Sequence, residues 1–383
     1  MLRIEEVSTL SGLEPYYNDW NSLLACSSSA DFFHTYEWIA TWIKCFWKDK
    51  PLSFLFVWQK NKLIAIAPFL NDESGDLGCS HSLITPINGE AKRTSIIFSG
   101  HLESILGSIF DYLWKTRKGI RISLKRAQKD SPLVVALPKI AKAHRLSTMM
   151  IEKSSSPVLR ISQSWNSYLS SKSRHFRHEL NRKSRLLEKS GKAEWVVTSS
   201  QDQVDMAINN FLTIEKKSWK HQQARSIAAR PVLEQFYREF AKQCAGKGWL
   251  RMHFLFLNSK PIAYIYGLVF NNEYFALKTS YDESYRHLSP GMVLFGHAIR
   301  DAFEQGYSAF DFLGEESRWK NQFANDLRKH ADLCVFSSKN VSCWRCKLYR
   351  QHFKSFVRAN FPFVVSAKRR FEDFFTSSKQ RSG

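Results

Sequence analysis

No stretch of this 383-residue chain approaches the ~18–20 consecutive apolar residues of a membrane span. The opening MLRIEEVSTL has neither the apolar segment nor the cleavage site of a secretory signal. A cytoplasmic protein is therefore expected, one able to sit peripherally at the inner face of the membrane. Cysteine is sparse and odd in number: seven, at 26, 45, 79, 244, 334, 343 and 346, which argues against a disulfide framework. Cys343 and Cys346 form a C-x-x-C without the second ligand pair of a zinc site or the βαβ setting of a redox site, so no metal is expected. Also missing are the G-x-S-x-G elbow, H-E-x-x-H, the G-x-x-x-x-G-K-[ST] phosphate loop and the dinucleotide fingerprint. These absences exclude several large enzyme classes.

Acidic residues are the other shortage. Asp and Glu number 35 against 56 Lys and Arg, a formal charge of +21 that implies an anionic partner or surface. A 44% hydrophobic and 14% aromatic composition is that of a chain that buries cores.

The positive charge is concentrated in two places. One is the tail, 338–383, with eleven Lys and Arg against Glu372 and Asp373, where Val341, Trp344, Leu348, Phe353 and Phe356 recur at helical spacing. It reads as a basic amphipathic helix suited to an anionic membrane surface, or as a helix docked on the body with a solvated basic face. The other is SSKSRHFRHELNRKSRLLEKSG, 170–191, whose apolar stripe is Phe176, Leu180 and Leu187. Its basic face either meets phosphates or is simply solvated.

The chain also repeats itself. FVWQKNKLIAIAPF, from Phe56, aligns with FLFLNSKPIAYIYG, from Phe254, at an offset of 198, and each copy reads as a β-hairpin. Two similar α/β domains in tandem are expected, at 1–155 and 156–337, with Ser154–Pro157 as a linker and 338–383 as the tail. In the first, helices are expected from Leu13 to Leu24 and over TYEWIATWIKCFW. In the second, helices are expected at 170–191, around FLTIEKKSWK and around PVLEQFYREFAKQCAGKG, then the strands WLRMHFLFL, PIAYIYGLVF, YFALKTSYD and SAFDFLG.

Between the last two strands lies RHLSPG, Arg286 to Gly291. Leu294, Phe295, Ala298, Ile299, Ala302 and Phe303 mark the helix that follows, with Ser289 as N-cap, Pro290 at the first position and Gly306 as the stop. Its free backbone N–H groups and positive dipole end, with Gly291 lacking a Cβ and Arg286 adding charge, make an anion site. The same turn can equally be a well-capped helix start without a ligand.

The order hairpin, strand, R-x-x-S-x-G turn, helix, strand resembles the GNAT acyltransferases, whose [Q/R]-x-x-G-x-[G/A] turn holds an acyl-CoA pyrophosphate. Arg286, Ser289 and Gly291 occupy its defining places; Ser289 stands where the family has glycine, and Pro290 removes one N–H. The blocks FFHTYEWIATW, KSRHFRHELNRKSRLLEKSG, IEKKSWK, LSPGMVLF and FDFLGEESRWK resemble the CelD-like branch of cellulose and exopolysaccharide synthesis, related to the FemAB transferases. That resemblance covers most of 30–335. It implies an α/β (α+β) fold of two tandem GNAT-like domains, each a mixed, largely antiparallel sheet flanked by helices.

It implies a chemistry too: acyl-CoA (acetyl-CoA) as co-substrate, held by Arg286, His287, Ser289, Pro290, Gly291 and Met292. Direct attack by an amine or hydroxyl then needs a base or proton path and an oxyanion donor. The site should open where YFALKTSYD parts from SAFDFLG, with Lys278, Tyr281, Asp282 and Asp311 on those edges. Asp311, between Phe310 and Phe312, either pairs with a cation or works as a base, and Lys320 is its expected partner. Lys320 matches a lysine that FemAB-like enzymes keep. Glu215 and Trp219, at i and i+4 on one expected helix face, offer a base and a platform for a sugar ring, or for Trp219 core packing.

The expected activity is N-acyl transfer to an amino sugar or sugar-linked intermediate of bacterial cell-surface polysaccharide, a small-molecule or glycan acceptor and not DNA. Alternatives are a FemAB-like transferase using aminoacyl-tRNA, which the charge favours, and a non-catalytic membrane-associated scaffold.

Overall fold

The computed structural model describes residues 2–27, 31–72, 81–117 and 120–337. The basic tail and the Cys343/Cys346 pair lie outside the described residues. The described Cys26, Cys45 and Cys244 are free thiols.

The first half runs β1 (Leu2–Val7), α1 (Tyr17–Cys26), α2 (Tyr36–Phe46), β2 (Leu52–Gln59), β3 (Lys62–Asn71), β4 (His81–Ile84), β5 (Ile97–Phe98), α3 (Leu102–Thr116), β6 (Ile120–Gln128), α4 (Pro132–Ala143) and β7 (Leu146–Arg160). The second runs α5 (Trp165–Ser171), α6 (Arg174–Lys189), β8 (Ala193–Thr198), α7 (Val204–Lys217), α8 (Trp219–Gln222), α9 (Pro231–Gly246), β9 (Met252–Leu257), β10 (Lys260–Phe270), β11 (Glu273–Tyr281), α10 (Pro290–Glu304), β12 (Ala309–Asp311), α11 (Arg318–Phe323) and β13 (Asp326–Ser337). The helix expected from Leu13 is a 3-10 turn over Ser11–Tyr16, and regular α-helix begins only at Tyr17, beyond Pro15.

The repeated hairpins are β2–β3 and β9–β10, closed by Gln59↔Lys62 and Leu257↔Lys260. Their strands are buried almost throughout, as continuous apolar runs require when helices cover both faces. On one face α2 and α9 meet, with the Trp38 ring 5.1 Å from Phe236 and 4.9 Å from Phe240. Trp38, Ile39, Trp42 and Ile43 supply the buried stripe of α2, and the Thr35 hydroxyl caps it by accepting from the Trp38 amide at 3.2 Å. On the opposite face α3 and α4 cover the first half and α5, α6 and α10 the second.

One mixed sheet carries all thirteen described strands in the order β1-β2-β3-β4-β6-β13-β7-β12-β11-β10-β9-β8, with β5 on β3. Only β4/β6 and β11/β12 pair in parallel, and the rest is antiparallel. At the centre the final strands cross over: β13 lies on β6 of the first half, and β7 lies on β12 of the second. Ser154–Pro157, expected as a linker, is therefore extended backbone inside β7, where Ser156 and Pro157 face Arg328 and Leu327. A serine-rich stretch reads as loop in sequence, but the ladder of β13 satisfies its backbone.

Gly267 marks a close approach. A Cβ there would lie 2.4 Å from the Arg251 carbonyl oxygen and 1.8 Å from the Tyr274 hydroxyl, which donates to that same carbonyl at 3.1 Å. Gly267→Ala is expected to lose about 1–3 kcal/mol by overpacking, read as a fall in urea midpoint; an unchanged midpoint would show that the strands yield.

Candidate active site

The site begins with a bulge. Tyr266 of β10 faces Lys278 and Gly267 faces Ala276, leaving Leu277 of β11 as an extra residue. A bulge bends and twists its strand. Parallel pairing of β11 with β12 spans only Glu273↔Ala309 to Phe275↔Asp311, so from Ala276 to Tyr281 β11 keeps its pairing with β10 while its β12 side is left open. The opening expected between these strands is present, and it forms a cleft of about 530 Å³. Thr279, Ser280 and Tyr281 of β11 line it, with Ser289, Gly291 and Met292 at the turn, Trp319 and Gln322 on α11, and Trp219 and Lys220 on α8.

The turn holds a left-handed residue. Ser289 has φ 54° and ψ 47°, a conformation glycine adopts freely, and its side chain makes no capping bond. The expected hydroxyl N-cap is thus corrected: in this conformation the Ser289 carbonyl starts the helix, accepting from Met292 at 3.1 Å and Val293 at 3.3 Å. Among the described residues the Gly291 amide has no hydrogen-bond partner. A Cβ at Gly291 would meet only Tyr281, at 3.6 Å, so the backbone is open toward the cleft. Arg286 lines the cleft 76% exposed, and among the described residues it forms an ion pair with Glu283 at 3.4 Å. An exposed guanidinium beside an unbonded amide at a helix start suits a pyrophosphate. His287 is exposed and Pro290 buried, and neither lines the cleft.

The carboxylates sit elsewhere than expected. Asp311 is fully buried and accepts from Arg93, from Arg328 at 2.7 Å and from the Leu313 amide at 2.8 Å. Lys320, its expected partner, instead donates to the Leu313 and Glu315 carbonyls at 2.6 and 3.0 Å. A buried carboxylate takes the cations that the ladder delivers, and these arrive from a loop and from β13. Glu215 and Trp219 do not share a helix face, because Ser218 is extended, at ψ 155°, and ends α7. Glu215 is buried, accepting from the Tyr264 hydroxyl at 2.6 Å and the Ile227 amide at 2.7 Å. Trp219 is 42% exposed and lines the cleft. Asp282 is buried under the turn, accepting from the Ser284 amide and hydroxyl at 3.0 and 2.7 Å. Lys278 pairs with Glu90 at 2.8 Å. The structure thus gathers Trp219, Tyr281, Arg286, Ser289, Gly291 and Met292 around one cleft and commits Asp311, Glu215 and Asp282 to structural bonds.

Sequence reasoning missed Arg93, Arg328 and Lys220. Only the buried position of Asp311 signalled that a cation had to come from somewhere, and nothing in EAKRTS marks Arg93. Arg93 also donates to Asp31 at 3.1 Å and, through Nε, to His330 Nε2 at 3.2 Å. His330 Nδ1 therefore carries the proton and donates to the Ser154 carbonyl at 3.2 Å. Burial, helped by the Arg93 charge, pushes His330 down from 6.5 to about 4. Because the unfolded chain binds this proton first, stability is lost as pH falls from about 6.5 to about 4. His253, also pushed by burial to about 4, adds to the same slope. Melting curves across this window should be steep in pH for the wild type and flatter for His330→Gln.

Among the described residues no helix is long and apolar enough to cross a membrane, and no three His, Cys, Asp or Glu side chains gather to hold a metal. No curated protein matches the sequence. FemX is similar in structure, with TM-score 0.58 at 10% identity over 87% of this chain and 96% of that one. So is the C-terminal domain of a protein described as a lysylphosphatidylglycerol synthetase from Agrobacterium fabrum, with TM-score 0.53 at 10% identity, covering 89% and 97%. A conserved protein of unknown function from Bacteroides thetaiotaomicron scores 0.53 at 13% identity, covering 88% and 100%. At such identities these likenesses speak to the fold alone. In sequence, residues 174–321 match the model of the acetyltransferase (GNAT) domain family, a span that runs from α6 through the bulged β11 and the Ser289 turn to α11. The split strands and the turn thus lie within the span that matches a GNAT acetyltransferase domain, in a mixed α/β fold whose sheet is flanked by helices.

Proposed function

We propose that this protein transfers an acyl group, acetyl or longer, from acyl-CoA directly to the amine of an amino sugar or sugar-linked intermediate of bacterial cell-surface polysaccharide synthesis. The reading places it with the CelD-like transferases. One observation carries the donor half: an open Gly291 amide and an exposed Arg286 on the cleft where β11 leaves β12. CoA would lay its pyrophosphate on that turn, and its thioester would reach the β11 edge that β12 no longer pairs. Backbone groups freed there can bind the developing oxyanion. With Asp311, Glu215 and Asp282 engaged in structural bonds, the attacking amine arrives neutral, and its proton leaves toward solvent. The rate should then rise with pH through the ionisation of the acceptor's own amine.

Trp219, exposed beside Lys220 on the cleft, offers an aromatic face to a sugar ring. Trp219→Ala is expected to raise the acceptor KM roughly tenfold, about the 1.4 kcal/mol of one aromatic contact, with melting temperature and acyl-CoA affinity unchanged. A fall in melting temperature would return Trp219 to packing. The reading as a whole is tested by calorimetry with acetyl-CoA and longer acyl-CoAs, then by a screen of amino-sugar acceptors; no binding of any acyl-CoA overturns it.

A second reading takes aminoacyl-tRNA as donor. It is favoured by the exposed basic face of α6, with Arg174, Arg185 and Lys189 in solvent, and it fits the likeness to FemX. Its mark would be tRNA affinity that falls steeply with salt. Failure of both donors would leave a scaffold role for the fold.

A further inference from the structure

Past the bulge, the hydrogen bonds between β10 and β11 fix which way each peptide group of β11 points. The Asp282 amide donates to the Ile262 carbonyl at 2.8 Å, and the same register pairs Ile265 with Thr279 and Ala263 with Tyr281. Bonded and non-bonded pairs alternate in an antiparallel ladder. The peptide groups of Thr279 and Tyr281 therefore point away from β10, into the side that β12 has left. On that side the Thr279 carbonyl accepts from the Lys220 ammonium of α8 at 2.8 Å. Both residues line the cleft with Ser289, Gly291 and Met292. Thr279 is the one hydrogen-bond partner of this ammonium among the described residues, so it has protons to offer a ligand.

The main chain around Lys220 is held as firmly as its side chain. Ser218, extended at ψ 155°, sets α8 off from α7. The Gln223 and Arg225 amides both donate to the Lys220 carbonyl, at 3.2 and 2.8 Å. The loop that follows is closed by the Ile227 amide, which donates to Glu215 at 2.7 Å. Lys220 is partly buried, and burial lowers its ammonium from the ordinary value, while the charges of Glu215 and Glu90 oppose that shift and Lys278 reinforces it. In such a site an ammonium acts on nearby charge more strongly than it does in water. Lys320, the lysine that the sequence brought forward, is held by the Leu313 and Glu315 carbonyls and does not line the cleft.

We propose that Lys220 is an oxyanion donor of this cleft: its ammonium, held on the open edge of β11, binds the thioester carbonyl oxygen of the donor as negative charge develops there. The assignment rests on the acyltransferase reading and adds a catalytic residue to it. The lone pair of the acceptor nitrogen forms the new C–N bond while the carbonyl π pair moves onto oxygen, beside Lys220. When that pair returns, the C–S bond breaks and CoA leaves as thiolate. The nitrogen gives up its proton to solvent, and the thiolate takes one up from there. Because the Thr279 carbonyl aims the ammonium before the donor arrives, little reorganisation is needed as the charge forms. Trp219, the preceding residue, keeps the acceptor's platform on the same wall.

The test is difference infrared spectroscopy of acetyl-CoA, isotopically labelled at the thioester carbonyl and bound to the full chain. Wild type, Lys220→Met and Lys220→Arg are compared, with calorimetry and thermal melts on the same samples. Bound to wild type, the carbonyl stretch should fall to lower frequency than in free acetyl-CoA, because a charged donor polarises the C=O bond. Lys220→Met should lose most of that shift while acetyl-CoA affinity and melting temperature hold, and Lys220→Arg should keep it. With glucosamine as acceptor, Lys220→Met should also lose roughly a hundredfold to a thousandfold in kcat, the usual cost of one oxyanion donor. A shift that survives in Lys220→Met overturns the proposal. So does acetyl-CoA bound to wild type without a shift, the result expected of a neutral Lys220 acting as base. A melting temperature that falls together with the shift would reduce Lys220 to a cap for the Thr279 carbonyl, and overturns it too. Calorimetry keeps the two readings apart: acetyl-CoA that binds without polarisation leaves the donor reading standing, and acetyl-CoA that does not bind removes both.

Discussion

Asp311→Asn should lower the stability of the protein by about 3–5 kcal/mol, the largest loss expected of any substitution considered for this chain. The carboxylate is wholly buried, and Arg93 and Arg328 both donate to the same oxygen while the Leu313 amide holds the other. An amide cannot compensate two guanidinium groups, and removing one partner of a buried pair leaves charge stranded. The consequences spread, because Arg328 also donates to Glu273 at 2.6 Å and Arg93 to Asp31 at 3.1 Å. This chain of charges joins the loop before β5 to β11, β12 and β13, and so ties the two halves where their last strands cross. Chemical denaturation measures the effect, and a second variant checks the cause: Asp311→Leu combined with Arg93→Met should recover much of the loss, since apolar replacement of a buried pair is often nearly neutral. A drop in turnover with the unfolding midpoint unchanged would instead return Asp311 to catalysis.

That Asp311 had to be neutralised was legible in the sequence; by what was not. An acid flanked by Phe310 and Phe312 must be paired, but Arg93 lies 218 positions away and only the folded sheet brings it in. The hairpins, α2, α9 and α10 were legible because apolar runs and 3.6-residue stripes are local signals, and burial follows those stripes. β7 and β13 were not, since neither keeps a regular polar–apolar alternation, β7 running through EKSSSP and β13 through RKHAD, and each makes sense only beside the other. The bulge at Leu277, which opens the cleft, leaves no mark except Gly267 across from it. Glu215 and Trp219 looked like neighbours on one helix because propensity continues through Ser218. There the Ser218 hydroxyl donates to the Glu215 carbonyl at 2.8 Å and the helix stops. In each case a local pattern was overridden by a partner distant in sequence or by side-chain competition for the backbone.

Gly291→Asp should abolish acyl-CoA binding, weakening it a hundredfold or more, while leaving the fold as stable as before or slightly more so. The two effects have opposite signs for one physical reason. Gly291 sits in the first turn of α10, where the N–H groups and the positive end of the helix dipole favour a carboxylate by about 0.3–1 kcal/mol. The space is available, since an added Cβ finds its nearest neighbour, the Tyr281 ring, at 3.6 Å. The carboxylate would then occupy the position of the donor's pyrophosphate and repel it, and like charges placed together at a binding surface cost several kcal/mol. Gly291→Ala separates shape from charge: it keeps the amide and adds only a methyl group, so its affinity should fall between wild type and Gly291→Asp. Calorimetry with acetyl-CoA beside thermal melts of all three proteins reads both quantities. Equal affinity for wild type and Gly291→Asp would show that the donor does not rest on the Ser289 turn, and a large fall in melting temperature would show that glycine is there for the backbone. Affinity lost while stability is kept is the result that a phosphate cradle, and not a mere helix start, requires.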